Sequence, residues 1–348
     1  MDRDAFYQMI IQASYIKNFQ CDGKICDCRC CREWAIPLDD DSREKFLTLK
    51  TSEREKIFQN IDKTSSTLKL SQDLRCSFLD ADGLCKIQKK HGEDFLPAIC
   101  QSYPRMTFKL GENFFLQSMT LTCPVAAQLI LLSPDPINFV EVQEINSRLI
   151  IDFRKYLTHS PHEFFQTQMS AIKILQEKNF SVNERLKNLC EFFFQKKFPP
   201  FKFNLEKHFE TLIEIFDEMY AANLNDAQKK ILHRNFSQTG EKILSDIHST
   251  FRQILENYLV NEFFMRCYPC AFSGDDWQNC KIFVASFRIL EFSTVLTLLS
   301  KKSITVFELL DLICAVSDKL DHNKFGMDAI KHFAEKNDAE NFFAQMLK

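Results

Sequence analysis

Glycine is scarce in this sequence. The 348 residues contain seven glycines, and no two of them are separated by a single residue. Rossmann folds bind nucleotide cofactors through a Gly-x-Gly turn between a strand and a helix, and no alternation of strands and helices appears here either. The sequence therefore excludes that fold. Few glycines together with 35 phenylalanines predict packed helices with few tight turns.

Charge of one sign and long apolar runs are also missing. The 44 basic and 47 acidic residues give a net charge of −3, which argues against a nucleic-acid partner and against an acidic tail. No stretch approaches 18 uncharged apolar residues, so we expect no membrane span. Met1–Tyr7 carries acidic residues where a signal peptide needs basic ones. We therefore expect a cytoplasmic protein, in whose reducing environment disulfides are disfavoured.

Cysteine, in contrast, is abundant and clustered. Nine of the 14 cysteines precede residue 125, and five of them lie between Cys21 and Cys31 beside charged neighbours such as Arg29 and Arg32. So many thiols in a charged segment do not pack as small apolar side chains. Thiolates are soft ligands that select zinc, Cu(I) or iron–sulfur clusters. The sequence predicts a cysteine-ligated metal centre in this region.

The spacing of the cysteines leaves the metal open. Structural zinc sites usually show two separate Cys-x-x-Cys pairs, whereas Cys28 and Cys31 have that spacing with Cys30 between them. Four-cysteine ligation of a [4Fe–4S] cluster tolerates irregular spacing. The Cys-x3-Cys-x2-Cys motif of radical S-adenosylmethionine enzymes is absent, because Glu33 stands where its third cysteine belongs. Cys267 and Cys270 form one more Cys-x-x-Cys pair, a weak signal by itself.

The fold predicted from these patterns is mainly α-helical. Residues 1–125 form a cysteine-rich metal-binding region. It includes one small β-hairpin, whose two strands flank residues 111–113. Residues 126–348 form a multi-helix region. Apolar residues at helical spacing predict one helix over residues 138–157. The long helical pattern over residues 226–264 is expected to break at Gly240.

The order of the N-terminal motifs resembles that of the flagellin lysine N-methylases, the FliB family. The matching residues are Phe19, Cys21, Cys26, Cys30, Cys31, Trp34 and Ile36, then Cys76, Phe78 and Leu79, then Cys85 and Ile87, then Gly92, Glu93, Leu96, Cys100, Tyr103, Pro104 and Arg105, and finally Leu121, Cys123 and Pro124. The resemblance is strong over residues 15–130. Beyond them it rests on helical character and on residues 256–259. Cys28 is additional to the family pattern, which blurs the ligand assignment among its neighbours.

The resemblance implies methylation of lysine side chains on flagellin, with S-adenosylmethionine as donor and a [4Fe–4S] cluster involved. Zinc is the alternative metal, because a broader group of zinc- or iron-chelating proteins shares the order of the cysteines. Two rival functions follow from that group: a non-enzymatic metal-binding protein and a redox cluster protein.

The resemblance also suggests which residues form the site. The expected metal-binding residues, which we predict to converge in space, are Cys21, Cys26, Cys30, Cys31, Cys76, Cys85, Cys100 and Cys123. Among these, the ligands are expected from the Cys30–Cys31 region with Cys76, Cys85 and Cys100. Arg105 and Tyr103 are expected to bind the cofactor. The catalytic base is unassigned, although Asp39, Glu93 and Tyr103 lie close to the motifs.

Overall fold

The computed structural model of the chain describes residues 8–23, 26, 28–199, 205–272, 275–301, 303–322 and 324–347. Met1–Tyr7, on which the expectation of no signal peptide rests, lies outside these described residues. The chain divides into two compact units: Met1–Ala126 with Phe139–Asp152, and Ala127–Asn138 with Phe153–Lys348. The domain boundary between residues 125 and 126 stays a prediction.

Helices dominate the described residues, as predicted. The α-helices are α1 (Asp40–Leu47), α2 (Thr51–Gln59), α3 (Lys86–His91), α4 (Ala98–Ser102), α5 (Pro124–Leu131), α6 (Pro161–Leu175), α7 (Val182–Phe194), α8 (Phe209–Tyr220), α9 (Asp226–Thr250), α10 (Arg252–Met265), α11 (Asp276–Ser300), α12 (Val306–His322), α13 (Lys324–Lys336) and α14 (Ala339–Met346). The strands are β1 (Met9–Ala13), β2 (Ile61–Asp62), β3 (Thr67–Leu68), β4 (Arg105–Lys109), β5 (Phe114–Met119), β6 (Phe139–Val142) and β7 (Ile150–Asp152).

The first unit contains a five-stranded mixed sheet with the order β6-β1-β5-β4-β7. The predicted hairpin is confirmed: β4 and β5 pair antiparallel, with Arg105 opposite Met119 and Thr107 opposite Gln117. Every residue of β5 is buried. Parallel pairings join β1 to β5 and β4 to β7, so the hairpin lies inside a larger sheet than the sequence indicated.

The prediction of a helix over residues 138–157 is wrong. This segment contains β6, which pairs antiparallel with β1, and β7, which pairs parallel with β4. Val140 and Ile150, assigned to the apolar face of that helix, are 40% and 43% exposed. Both are β-branched residues, which fit a half-buried pleated surface well. Strands β1 and β4 supply the backbone hydrogen-bond partners of this segment. The local spacing of apolar residues cannot predict such long-range pairings.

A compact apolar cluster lies beneath the cysteine-bearing loops of the first unit. It is built from buried side chains of the helices and the loops between them, including Ile36, Phe46, Ile57 and Ile87. Helix α1 begins where the Asp39 carboxylate accepts a hydrogen bond from the Ser42 backbone N–H at 2.9 Å, an N-cap that satisfies a donor with no partner inside the helix. These elements give the cysteine loops a fixed base.

In the second unit the helices begin at the capping signals that the sequence contains. The Ser-x-x-Glu pattern of Ser181 and Glu184, which in a sequence predicts a helix start, forms a capping box at the start of α7, and Asn225 caps α9. The predicted break at Gly240 is wrong, because α9 continues to Thr250. Gly240 is buried within α9, and a Cβ there would lie 3.0 Å from the Phe236 ring. This glycine serves close packing and not a helix end.

By length and composition alone, helix α11 is long and apolar enough to cross a membrane. The sequence-based expectation of no membrane span did not single it out. However, 78% of the most apolar 18-residue stretch of this helix is buried inside the structure. A core helix of a globular domain has the same composition, so this signal is weak.

The family-like residues 256–259 have structural partners in the second unit. Glu256 accepts a hydrogen bond from Arg185 at 2.7 Å, and both side chains are almost completely buried. The Asn257 side-chain amide donates to the carbonyl oxygens of Ile130 and Ser133, which lie at the C-terminal end of α5. Both residues therefore stabilise helix packing.

A candidate metal centre in the first unit

The nine N-terminal cysteines line one cavity of about 580 Å³. They are Cys21, Cys26, Cys28, Cys30, Cys31, Cys76, Cys85, Cys100 and Cys123. All eight predicted metal-binding residues thus line the same cavity, although they span about 100 positions of the sequence. Tyr103, Arg105 and Glu93 line the same cavity. Its volume lies within the roughly 300–1,000 Å³ typical of small-molecule sites.

Backbone hydrogen bonds between loops hold the cysteines in place. The residues Arg29–Cys31 form a 3-10 turn, and the Cys31 carbonyl accepts from the Cys76 N–H at 2.8 Å. An isolated bridge pairs Leu79 with Cys85. The Trp34 indole N–H donates to the Cys30 carbonyl at 3.0 Å. The residues between the motifs therefore fix the positions of the thiols.

Cys28 differs from the other eight cysteines. Its sulfur donates hydrogen bonds to the carbonyl oxygens of Gly23, at 3.1 Å, and Gly83. Gly83 has a φ of +79°, and a Cβ there would lie 3.2 Å from the Cys28 sulfur. The sequence left Cys28 as an alternative ligand, but its thiol joins two loops. Gly83 lies 55 residues after Cys28, so the sequence near Cys28 could not predict this contact.

The thiols of the neighbouring residues Cys30 and Cys31 contact each other. Their sulfurs lie 3.9 Å apart. The contact with Cys31, and then burial, raises the pKa of the Cys30 thiol well above its ordinary value. Burial raises the pKa of Cys21 and Cys76 to about 11 and that of Cys123 to about 12. A thiol must lose its proton to bind a metal, so metal uptake at this site releases protons.

Within the described ranges, no three His, Cys, Asp or Glu side chains lie close enough together to hold one metal ion. Zinc–sulfur bonds are about 2.3 Å long, so a single zinc needs a tighter group than this one. A polynuclear cluster binds each thiolate through a different iron atom and spreads its ligands more widely. The thiolate donors fit zinc or an iron–sulfur cluster in chemistry.

Arg105 provides the cationic side of the cavity. Its guanidinium lies over the Phe19 ring, 5.1 Å from the centroid, and its buried Nε has no hydrogen-bond acceptor. Burial lowers the pKa of Arg105, whereas the nearby charges of Glu93 and Cys21 raise it. An arginine held this way, with an unused donor, is suited to binding a carboxylate.

Tyr103 and Asp39 are held by structural hydrogen bonds. The Tyr103 hydroxyl lies 2.9 Å from the Thr122 hydroxyl. Asp39 caps α1 and accepts from the Ala98 N–H at 2.7 Å. Burial opposes ionisation of Asp39, but the hydrogen bonds from Ala98 and Ser42 hold its pKa below the ordinary value. Its position in this cap assigns Asp39 to the scaffold.

The Cys267–Cys270 pair lies in the second unit. Both thiols are buried, and the Cys270 sulfur lies 3.9 Å from the Thr158 hydroxyl and from an Asp276 carboxylate oxygen. The described residues give this pair no group of three ligands. It is a packed turn before α11, and the signal of its spacing stays weak.

Comparison with known proteins places this site in a family. Residues 187–347 match the model of the FliB lysine N-methylase C-terminal domain. Residues 20–124, which contain all nine cavity cysteines, match a model described as "Putative zinc- or iron-chelating domain". The chain is 31% identical over 161 residues to the flagellar biosynthetic protein FliU of Salmonella muenchen, covering 92% of that protein and 43% of this chain. The chain belongs to the FliB lysine N-methylase family.

Two further relatives carry the name of the enzyme. The chain is 33% identical over 136 residues to proteins named Lysine-N-methylase from Salmonella choleraesuis and Salmonella typhimurium. These alignments cover 36% of this FliB-family chain and span a third of the length of each of the two relatives. No solved structure matches the chain.

Proposed function

We propose that this protein is a protein-lysine N-methyltransferase that methylates flagellin, using S-adenosylmethionine and a [4Fe–4S] cluster. The observation that carries the proposal is the cavity, which the nine N-terminal cysteines line together with Arg105 and Tyr103. Membership of the FliB lysine N-methylase family and the names of the relatives support the reaction.

The cluster is proposed to bind to the Cys30–Cys31 region with Cys76, Cys85 and Cys100. Four thiolates suffice for a [4Fe–4S] cluster, and the cavity lining offers more than that number. A cluster held by these thiolates would supply a Lewis-acidic iron beside the bound methyl donor. Zinc stays the alternative metal, in agreement with the family model for residues 20–124.

Arg105 is proposed to bind the carboxylate of the methyl donor. The chain has no Gly-rich turn for a cofactor, so side chains must take over that recognition. The guanidinium of Arg105 is positioned by the Phe19 ring and can form two parallel hydrogen bonds to a carboxylate. Tyr103 contributes the adjacent wall of the binding site.

In the proposed reaction, the neutral amine of a flagellin lysine attacks the sulfonium methyl group. The S–CH₃ bond breaks, the N–CH₃ bond forms, and S-adenosylhomocysteine leaves with the electron pair of the broken bond. The lysine must first lose a proton, because its ammonium form has no lone pair. Glu93 lines the cavity near Arg105. We assign it the binding of the substrate ammonium and the acceptance of this proton.

One rival function has a specific observation in its favour. The family model for residues 20–124 is a chelating domain with no reaction in its description. A non-enzymatic zinc- or iron-binding protein would use the metal to stabilise a helical interaction domain, and a redox cluster protein would cycle electrons without transferring a methyl group. In each case the free thiols favour a reducing compartment, and we propose a cytoplasmic location.

Anaerobic purification followed by iron, sulfide and zinc analysis tests the metal. Co-expression with the flagellin of the host, followed by intact-mass spectrometry, tests the reaction. We expect mass increments of one methylene each on flagellin, and their loss in Cys100→Ala. Cys190→Ala, a buried cysteine of α7 in the second unit, should retain them. Unmodified flagellin in the presence of a loaded cluster and added S-adenosylmethionine would instead favour the metal-binding protein.

A further inference from the structure

We propose that Arg148 is a positioning residue for the Cys100 thiol, because it clamps the short helix α4 to α1 and to the segment before β7. Arg148 lies in neither of the two family-model matches, which cover residues 20–124 and 187–347. The inference rests on the proposed function only in taking Cys100 as a metal ligand. The clamp itself is a property of the fold and is tested separately.

Helix α4 depends on contacts with other elements. It has five residues, and its N-cap residue, Pro97, has no capping side chain. The first turn of a helix is costly to form, and isolated helices shorter than about 12–15 residues are marginal in water. This helix nevertheless carries Cys100, which lines the cavity. The bonds that α4 makes to its neighbours therefore decide where the Cys100 thiol lies.

The start of α4 is held through the Arg148 guanidinium. One of its terminal nitrogens donates to the Leu96 carbonyl oxygen at 2.7 Å. The other donates to the Ser42 hydroxyl at 3.1 Å and pairs with the Asp39 carboxylate at 3.5 Å. Asp39 in turn accepts a hydrogen bond at 2.7 Å from the N–H of Ala98, the first residue of α4. The guanidinium thus joins α1 to the beginning of α4.

The end of α4 is held by the backbone of the same segment. The buried Ser102 hydroxyl accepts hydrogen bonds from the N–H groups of Arg148, at 3.0 Å, and Leu149, at 2.8 Å. The Gln101 side-chain oxygen lies 3.1 Å from the Arg148 N–H and also accepts from it. Arg148 therefore bonds to both ends of a five-residue helix, and Cys100 lies between these bonds.

The segment that carries Arg148 is fixed within the first unit. Phe139–Asp152 belongs to that unit, although Ala127–Asn138, which precedes it, belongs to the second. Directly after Arg148 and Leu149, β7 pairs parallel with β4, and Asn146 lines the same cavity as the cysteines. The cavity is thus completed by residues that lie beyond the match to the chelating domain.

Hydrogen exchange of the full chain tests the clamp without a methylation assay. The chain is purified anaerobically with the metal that it holds, and amide exchange is followed by mass spectrometry. The Gln101 and Tyr103 N–H groups donate to the Pro97 and Ile99 carbonyls, so their exchange reports local opening of α4. In Arg148→Gln this exchange should be about tenfold to a hundredfold faster, because hydrogen bonds made by a charged group are lost. Exchange in β5 should not change.

Metal release links the clamp to Cys100. Arg148→Gln should keep the wild-type helix content by circular dichroism but lose its metal faster to a chelator. The visible absorption spectrum of the chain reconstituted with iron and sulfide should also change, which a general loss of stability does not predict for a folded, loaded chain. The matched control is Lys45→Gln, because Lys45 pairs with Asp41 from within α1 and Arg148 pairs with the same carboxylate. This control should leave α4 exchange and metal release unchanged.

Arg148→Lys decides the question if Arg148→Gln does not fold. Lysine keeps the positive charge beside Asp39 and Asp41, but it lacks the planar fork that reaches the Leu96 carbonyl at the same time. The same changes should therefore appear at smaller size.

Three results would overturn the inference: α4 exchange at the wild-type rate, equal opening of the whole first unit, or selective opening of α4 with wild-type metal release and spectrum. A wild-type chain that binds no metal would remove the cluster from the proposed function. Exchange in α4 would then still decide whether Arg148 clamps the helix.

Discussion

The sulfur of Cys28 donates a hydrogen bond to the carbonyl oxygen of Gly83, a residue 55 positions later in the chain. It also donates to the Gly23 carbonyl. One thiol thus joins the first cysteine loop to the loop that precedes Cys85. We therefore expect Cys28 to stabilise these loops, and the other eight thiols to be available for metal.

Cys28→Ala is expected to leave the metal content unchanged and to lower the stability of the first unit. A hydrogen bond between neutral groups contributes about 1 kcal/mol to stability, and a thiol is a weak donor. We expect a loss of up to about that size in denaturant unfolding of the metal-loaded chain. A fall in bound iron or zinc in a folded Cys28→Ala variant would instead make Cys28 a ligand.

Gly83→Ala should be more harmful than Gly92→Ala. Both glycines have positive φ, +79° and +85°, so both substitutions carry backbone strain of about 1 kcal/mol or more. A Cβ at Gly83 would also meet the Cys28 sulfur at 3.2 Å, whereas nothing lies within 4 Å of one at Gly92. The difference between the denaturant unfolding midpoints of the two variants measures the stability lost by disturbing the contact between residue 83 and the Cys28 sulfur. Equal midpoints would contradict a tight contact there.

Glu256→Gln should destabilise the second unit by about 3–5 kcal/mol, because it leaves the Arg185 guanidinium charged, buried and without its carboxylate. The matched control is Glu340→Gln, which breaks an ion pair with Lys196 in which both side chains are exposed. That change should stay within about 0.5 kcal/mol. Thermal and denaturant unfolding measure both. A loss below about 1 kcal/mol in Glu256→Gln would contradict the assigned role of this pair.

Asp39→Ala should cost about 0.5–2 kcal/mol at neutral pH through loss of the α1 N-cap. The pKa of Asp39 is lowered in the folded chain, and its unfolded value is about 3.9. Its contribution is therefore fully present above the unfolded pKa and is lost as pH falls through the lower folded pKa. The difference in stability between wild type and variant should begin to shrink below about pH 4 and should be lost at pH values below the folded pKa. Asp40→Ala, one residue later, removes no capping hydrogen bond and should show no such convergence.

The sequence predicted the parts of this protein that depend on local pattern and on residue type. The capping box at Ser181 and the hairpin over β4 and β5 follow from nearby residues, and the metal chemistry follows from clustered thiols. The strands at residues 139–142 and 150–152 form by pairing with β1 and β4. These pairings could not be predicted from the local spacing of apolar residues. Gly240 is buried in the interior of α9, so packing and not residue type decides that the helix continues there. These features depend on contacts that form only when the chain folds.

Arg105→Lys is expected to weaken binding of S-adenosylmethionine while leaving the metal content unchanged. Lysine keeps the positive charge, but it loses the planar pair of donors that can hold a carboxylate with two hydrogen bonds. Hydrogen bonds to charged groups contribute about 1.5–3 kcal/mol, so the Kd should rise about tenfold to a hundredfold if most of this is lost.

Binding is measured by calorimetry on the reconstituted, metal-loaded chain in the absence of flagellin, so that the result does not depend on methyl transfer. The control is Arg54→Lys, a surface arginine of α2 whose guanidinium donates to the Leu47 carbonyl and which does not line the cavity. It should bind the donor with wild-type affinity. If Arg105→Lys also binds like the wild type, the carboxylate of the donor is held by another group, and the unused Nε of Arg105 has a different partner, such as the flagellin chain.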